Sequence, residues 1–166
     1  MVKGFLVDTS VLRVFSSIQR LDLLNHWAPL LVTKGIVREH GQAPPHARKH
    51  LDAILEQKAI EIAKPPKEDT TKLSLEDPRL SPVDWEGVCV ARRDNLAILV
   101  ADKKYRDECK ARGIRTVGVA TLLHSLRRDG VITEEQMTAI ANQMVKAGYY
   151  AFSPVEEESL GLSGRP

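Results

Sequence analysis

The stretch LSPVDWEGVCVARRDNLAILVADKKYRDECKARG, residues 80–113, predicts a helix, a short apolar strand and a second helix in succession. Ser81 and Pro82 are typical of an N-cap and a first helical residue, and this helix is predicted to run to about Arg93. The apolar run AILVA predicts a buried strand that ends just before Asp102. The second helix is predicted to end at the glycine that closes the stretch.

Strands and helices are predicted to alternate along the rest of the chain as well. Residues 4–7 form an apolar run that ends at Asp8, and a helical pattern with a break near Ser17 follows. Apolar runs predict further strands at 30–33, 60–63 and 115–119. Amphipathic runs predict further helices at 46–59, 120–130 and 134–147. The alternation predicts an α/β fold of three layers, α/β/α, around a mainly parallel sheet.

The length of 166 residues is enough for one domain with its own core. We assign this domain to residues 1–152, and we expect residues 153–166, an acidic and then Gly/Ser-rich tail, to be loosely held. Residues 64–80 are rich in proline and charge without an apolar period, which predicts a surface loop.

Composition excludes several classes of protein. Two cysteines occur without a CxxC or Cys/His cluster, which argues against structural zinc and a disulfide framework and suits a reducing compartment. The start of the chain reaches a charged residue too soon for a signal peptide, and no apolar run approaches the roughly 18–20 residues of a membrane helix. We therefore expect a cytoplasmic protein with no membrane partner. A net charge of +2 permits nucleic-acid binding without arguing for it.

Four acidic residues stand where a parallel sheet brings side chains together. Asp8 and Asp102 each follow a predicted strand, Asp84 lies in the first turn of a helix, and Glu39 follows the second strand by a short turn. Carboxylates in one place repel each other by roughly 4 kcal/mol per pair at about 4 Å and an effective dielectric of about 20. A cation would relieve this repulsion, and oxygen ligands favour Mg²⁺ or Mn²⁺. Such an ion suits phosphodiester hydrolysis.

Three segments also resemble a known family. FLVDTSVL at the start, VREH in the middle and the stretch from residue 80 onward resemble the PIN-domain family, and AGYYAFSP near the end is similar to the tail of one subgroup. The resemblance is closest to bacterial and archaeal members akin to VapC-type toxins, in a subgroup described as predicted nucleic-acid-binding. It implies metal-dependent cleavage of single-stranded or structured RNA, a possible small antitoxin protein as partner, and a homodimer.

The resemblance also implies roles for individual residues. Asp8 matches the first family acid, which is followed by a Thr/Ser pair as it is here, and Glu39 matches a glutamate three residues after a β-branched residue, here Ile36. Asp84 and Asp102 match the acids that open a helix and end the next strand. All four are therefore predicted to be catalytic, and Asp8, Asp84 and Asp102 to be metal ligands.

The chain departs from the subgroup at two positions. Val83 and Asp84 stand where the subgroup often has Gly-Glu, and Glu86 follows, so either Asp84 or Glu86 is the third acid. Lys103 stands where a second acid often follows the strand-end aspartate, which leaves open whether the site holds one metal or two.

Basic and polar residues near the acids are candidates for nucleic-acid contacts. We assign this role to Ser10, Lys103, Lys104 and Arg106. Alternatively, the Ser10 hydroxyl donates a hydrogen bond to Asp8, and the three basic residues form a solvated helix face. Two other functions remain open. One is a catalytically silent PIN-like module that binds RNA or protein. The lysine at position 103, where the subgroup often has an acid, favours this function. The other is a haloacid-dehalogenase-like phosphatase, which would need a second aspartate where this chain has Ser10.

Overall fold

A five-stranded parallel sheet forms the centre of the computed structural model, which describes residues 2–148 and 150–162. The strands are β1 (Phe5–Val7), β2 (Leu30–Thr33), β3 (Ile60–Ala63), β4 (Ala97–Leu99) and β5 (Thr116–Val117). Their order across the sheet is β3–β2–β1–β4–β5, and every neighbouring pair is parallel. All residues of β4 are buried, as expected for a strand with helices on both faces.

Helices cover the sheet and complete the three-layer α/β/α fold that the sequence predicts. They are α1 (Thr9–Ser17), α2 (Lys34–His40), α3 (Pro45–Glu56), α4 (Lys67–Glu76), α5 (Pro82–Asp94), α6 (Lys103–Ala111), α7 (Val119–Arg128), α8 (Glu134–Lys146) and α9 (Pro154–Ser159), with a 3-10 helix at Leu21–Trp27. The predicted break near Ser17 separates α1 from this 3-10 helix.

Trp85 anchors α5 against the sheet. Its side chain is fully buried, and its indole N–H donates to the backbone carbonyl of Asp77 at 2.9 Å. The guanidinium of Arg112 lies 4.6 Å from the centre of the Trp85 ring, within the range of a cation–π contact. Because burial of an aromatic side chain contributes several kcal/mol, these contacts hold the first turn of α5, which carries Asp84.

The strand order reverses at β1, which pairs with β2 on one side and with β4 on the other. In an open α/β sheet, ligands bind beyond the carboxyl ends of the strands at such a reversal. Asp8 directly follows β1, and Asp102 lies three residues after the end of β4. The topology therefore places both acids at the edge where this fold class binds ligands.

The prediction of a surface loop at residues 64–80 was wrong, because α4 occupies most of this segment. Hydrophobic periodicity could not reveal this helix, since Thr70 is its single buried residue. Glu68 and Asp69 lie in its first turn, where negative charge complements the helix dipole, and Leu73 is partly buried against the core.

The expected loose tail differs from the structure over residues 153–162. Ser153 and Glu156 form a capping box that begins α9, and Leu160 and Leu162 are buried in the core. Thr138 of α8 also donates a hydrogen bond to the carbonyl of Leu160 at 2.7 Å. Two buried leucines and a capped helix hold this segment against α8; the remainder of the tail, residues 163–166, lies outside the described residues.

Two further expectations concern cysteines and membranes. Cys89 and Cys109 are both buried and form no disulfide with each other, which agrees with the prediction that the chain has no disulfide framework. Within residues 2–148 and 150–162, none of the helices has the length and apolar character needed to cross a bilayer.

Candidate functional site

The four predicted catalytic acids line one cavity of about 290 Å³, which we call the acid cavity. The described residues that line it are Asp8, Thr9, Ser10, Arg13, Glu39, Ser81, Asp84, Asp102 and Tyr105. The acids come from four separate segments of the chain, so the fold gathers them as the strand-end positions predicted.

Asp8 is held in place by hydrogen bonds from Ser10. The Ser10 hydroxyl donates to Asp8 Oδ2 at 2.6 Å, and the Ser10 backbone N–H donates to the same oxygen at 3.2 Å, so Asp8 caps α1. The backbone N–H of Ala101 in turn donates to Ser10 Oγ at 3.0 Å. Since Ala101 follows β4, this chain of bonds ties the segments after β1 and β4 together.

Glu39 reaches the cavity because α2 begins directly at the end of β2. Thr33 caps this helix by accepting a hydrogen bond from the Ile36 N–H at 3.1 Å. One turn later, the Thr9 hydroxyl of α1 donates to Glu39 Oε2 at 2.6 Å. Thr9 therefore fixes Glu39 on the same side of the cavity as Asp8.

Asp84 and Asp102 are linked through Tyr105. Asp102 caps α6 by accepting from the Tyr105 backbone N–H at 2.7 Å, and the Tyr105 hydroxyl donates to the Asp84 carbonyl at 3.0 Å. Gly87 makes this approach possible, because a Cβ atom there would lie 2.5 Å from the Tyr105 hydroxyl. Ser81 caps α5 by accepting from the Asp84 N–H at 3.1 Å.

The acids affect one another electrostatically. Burial raises the pKa of Asp84 from 3.8 to about 6, with a further contribution from the charge of Asp8. Burial also raises the pKa of Asp8, while hydrogen bonds from Ser10 and Thr9 lower it and the charge of Glu39 raises it again. Burial and the charges of Asp8 and Asp84 raise the pKa of the Cys109 thiol to about 12. The acid cavity therefore carries an excess of negative charge, with four carboxylates against the one guanidinium of Arg13.

The donor set of the acid cavity suits a hard divalent ion. Among the described residues, four carboxylates and no sulfur or imidazole line the cavity, which is the chemistry that Mg²⁺ and Mn²⁺ prefer. Across residues 2–148 and 150–162, no three His, Cys, Asp or Glu side chains are arranged so that they could hold one metal ion. Asp102 caps α6 and is exposed, whereas Asp8 is 6% exposed.

Comparison with known proteins places the chain in a family. The profile of the PIN domain matches residues 5–165, nearly the whole length. The chain belongs to the PIN-domain family. This confirms the resemblance that the three sequence segments indicated, and it makes the fold one of nuclease type.

A solved structure has the same fold as this PIN domain. The crystal structure of PAE2754 from Pyrobaculum aerophilum superimposes with a TM-score of 0.58 at 22% sequence identity, covering 77% of this chain and 99% of that one. At that identity the similarity concerns the fold. Comparison with curated proteins finds no match.

The structure separates the two candidates for the third acid of this PIN domain. Asp84 lines the acid cavity, whereas Glu86 lines a different pocket next to α2. Since α5 turns by about 100° per residue, side chains two positions apart point to different sides of the helix. The geometry therefore favours Asp84.

Of the residues predicted to contact nucleic acid, Ser10 lines the acid cavity and the three basic residues of α6 do not. The single hydroxyl hydrogen of Ser10 is used by Asp8, so Ser10 positions that acid and has no O–H left for a phosphate. Lys103 pairs with Asp107 at 3.0 Å on the exposed side of α6. Lys104 is exposed and Arg106 lies against Gly118. The three basic residues lie outside the lining of the acid cavity.

Arg13, like Thr9 and Tyr105, lines the acid cavity and was not among the site residues predicted from the sequence. It lies four residues after Thr9 on α1, so both face the same side of the helix, and this spacing was the available signal. Its Nε atom is buried without a hydrogen-bond partner. No described carboxylate lies within the 4.0 Å salt-bridge distance of Arg13, although four acids line the same cavity.

Proposed function

We propose that this PIN domain is a metal-dependent endoribonuclease that hydrolyses RNA phosphodiester bonds in the acid cavity. The observation that carries the proposal is the convergence of Asp8, Glu39, Asp84 and Asp102 on one cavity, at the edge where the strand order reverses. Four carboxylates that share one cavity with a single arginine repel one another, so their presence at a ligand-binding edge supports a role in binding a divalent ion.

Asp8, Asp84 and Asp102 would hold Mg²⁺ or Mn²⁺. When bound, such an ion polarises a phosphoryl oxygen and acidifies a water molecule. The raised pKa values of Asp8 and Asp84 support this assignment, because a cation would remove the cost of their negative charge.

The remaining residues of the acid cavity would orient and bind. Ser10 holds Asp8, and Thr9 holds Glu39 through Oε2, which leaves the other oxygen of Glu39 to accept a proton from an attacking water. Arg13 supplies the cation of the cavity lining, and its guanidinium would contact a phosphate oxygen of the substrate.

Cleavage of end-labelled RNA by the purified chain tests the proposal. We expect fragments in the presence of Mg²⁺ or Mn²⁺ and intact RNA when a chelator is added. Intact RNA at every metal concentration would contradict the proposal.

The alternative is a catalytically silent PIN module that binds RNA or a protein. It is favoured by the absence, among the described residues, of three side chains already arranged for a metal ion. RNA binding without metal-dependent cleavage would establish this alternative. The toxin role implied by the resemblance stays a prediction, and a small antitoxin gene beside the gene for this chain would support it.

We expect Arg13→Met to lower kcat/KM for RNA by about tenfold, the effect of losing one charge-assisted hydrogen bond. The melting temperature should stay equal or rise, since the variant removes a buried nitrogen that has no partner. Arg13→Lys keeps the charge without the planar fork and should recover part of the rate. Unchanged kinetics with a lower melting temperature would show that Arg13 is structural instead.

A further inference from the structure

A second cavity, of about 480 Å³, lies beside α2 and is dominated by positive charge. It is lined by Lys34, Gly35, Arg38, Ala63, Lys64, Pro65, Lys67 and Glu86, and we call it the basic pocket. Four cationic side chains thus face one carboxylate.

The basic pocket and the acid cavity share an edge of the sheet. Lys34 directly follows β2 and Lys64 directly follows β3, so both stand at the carboxyl ends of parallel strands. Asp8 stands at the carboxyl end of β1, the strand next to β2. The basic pocket, beyond β3 and β2, therefore lies next to the acid cavity, beyond β1, along the same edge of the sheet.

Two helices contribute neighbouring residues to both cavities. Arg38 of α2 lines the basic pocket and the next residue, Glu39, lines the acid cavity. On α5, Asp84 lines the acid cavity and Glu86 the basic pocket. The helices touch at Gly35, where an added Cβ would lie 2.7 Å from Glu86 Oε2. The cavities therefore flank a single helix–helix contact.

The cations of the basic pocket are not neutralised by neighbours. Two exposed arginines on other surfaces do have such neighbours, since Arg93 pairs with Asp94 and Arg128 with Asp129. For Lys34, Arg38, Lys64 and Lys67, by contrast, no salt bridge forms with any described residue, and Glu86 stays outside the 4.0 Å limit. Like charges gathered without counter-charges attract an anion from outside.

We propose that the basic pocket binds the phosphodiester backbone of the RNA strand that enters the acid cavity. This inference rests on the proposed ribonuclease function. A strand cleaved in the acid cavity continues along the sheet edge, crosses the contact between α2 and α5 and reaches four cations. Lysine and arginine contacts of this kind fix the position of phosphates without reading the sequence, so the pocket would strengthen binding of any single strand.

Binding of a labelled single-stranded RNA, measured by fluorescence anisotropy with a chelator present to prevent cleavage, tests this inference. The test variant is Lys64→Gln/Lys67→Gln. Both side chains are exposed, and the Arg93 hydrogen bond to residue 64 uses the backbone carbonyl, so the fold should be retained. The matched control is Lys110→Gln/Arg115→Gln, which removes the same charge from a cavity beside residues Ala97 and Thr116, where β4 and β5 begin.

We expect the test variant to bind RNA more weakly than the control, with the slope of log K against log salt reduced by about 1.4, or about 0.7 for each lost phosphate contact. Equal affinities and slopes for the two variants would overturn the inference. So would poly-glutamate binding to the wild type as tightly as RNA does, since that would indicate an acidic protein partner.

The outcomes separate the two proposals. If the wild type cleaves RNA and the two variants bind RNA equally, the basic pocket is overturned and the nuclease stands. If the wild type never cleaves while the test variant alone loses RNA binding, the nuclease is overturned and the RNA-binding pocket stands.

Discussion

Asp8→Asn is expected to lower metal-dependent RNA cleavage by more than about 100-fold. Loss of a residue that merely orients a metal ligand costs roughly 10–100-fold, and loss of a ligand should cost more. The substitution keeps the shape of the side chain, and asparagine caps a helix as well as aspartate does. Because Asp8 is 6% exposed and burial raises its pKa, the neutral amide should fold at least as stably. Cleavage rate and melting temperature are measured on the same preparation.

Asp107→Asn is the matched control for this variant. Asp107 is exposed on α6, lies outside the acid cavity and, among the residues that the structure describes, pairs only with the exposed Lys103. Removing its charge should change cleavage little. If Asp8→Asn cleaves RNA as fast as Asp107→Asn does, the assignment of Asp8 is wrong.

Asp84→Asn is expected to stabilise the metal-free protein at neutral pH by about 1–2 kcal/mol. The pKa of Asp84 is about 6 in the folded protein against 3.8 as the ordinary value. Between these pH values the folded state binds more protons than the unfolded state, so the free energy of unfolding of the wild type falls as pH rises from 3.8 to about 6. The full shift corresponds to about 3 kcal/mol, which we reduce because Asp84 is only half-buried.

The pH dependence distinguishes this effect from a change in packing. Denaturant unfolding at pH 7.5 and pH 4 should show Asp84→Asn more stable than the wild type at the higher pH, with the difference nearly gone at the lower one. Asp107→Asn again serves as the control. A variant that is less stable than the wild type at both pH values would contradict the idea that Asp84 is an electrostatically costly group.

The positions of the acids could be predicted because they depend on topology. Strand–helix alternation implies a parallel sheet, and a parallel sheet places strand-end residues such as Asp8 and Asp102 at one edge. Glu39 and Asp84 belong to helices that begin near the same edge, so their approach follows from short connections. The capping residues Ser81 and Thr133 were also predictable, because capping is a local hydrogen bond.

Other features could not be predicted because they depend on tertiary contacts. Arg13 matters because three segments enclose it with the acids, and its spacing from Thr9 alone does not reveal this. The basic pocket combines residues from α2, from α5 and from the chain after β3, each of which by itself is typical of a solvated surface. The packing of residues 153–162 depends on Leu160 and Leu162, which are buried in a core formed by distant residues.

The most direct test of the account is the melting temperature of the metal-free protein during titration with Mn²⁺. A ligand that binds only the folded state stabilises it by about 2.7 kcal/mol at 100 times its dissociation constant, so the wild type should melt at rising temperatures as Mn²⁺ is added. Asp8→Asn should show little or no shift, and Asp107→Asn should follow the wild type. A wild-type melting temperature that stays constant at all Mn²⁺ concentrations would contradict the claim that these carboxylates share a divalent ion.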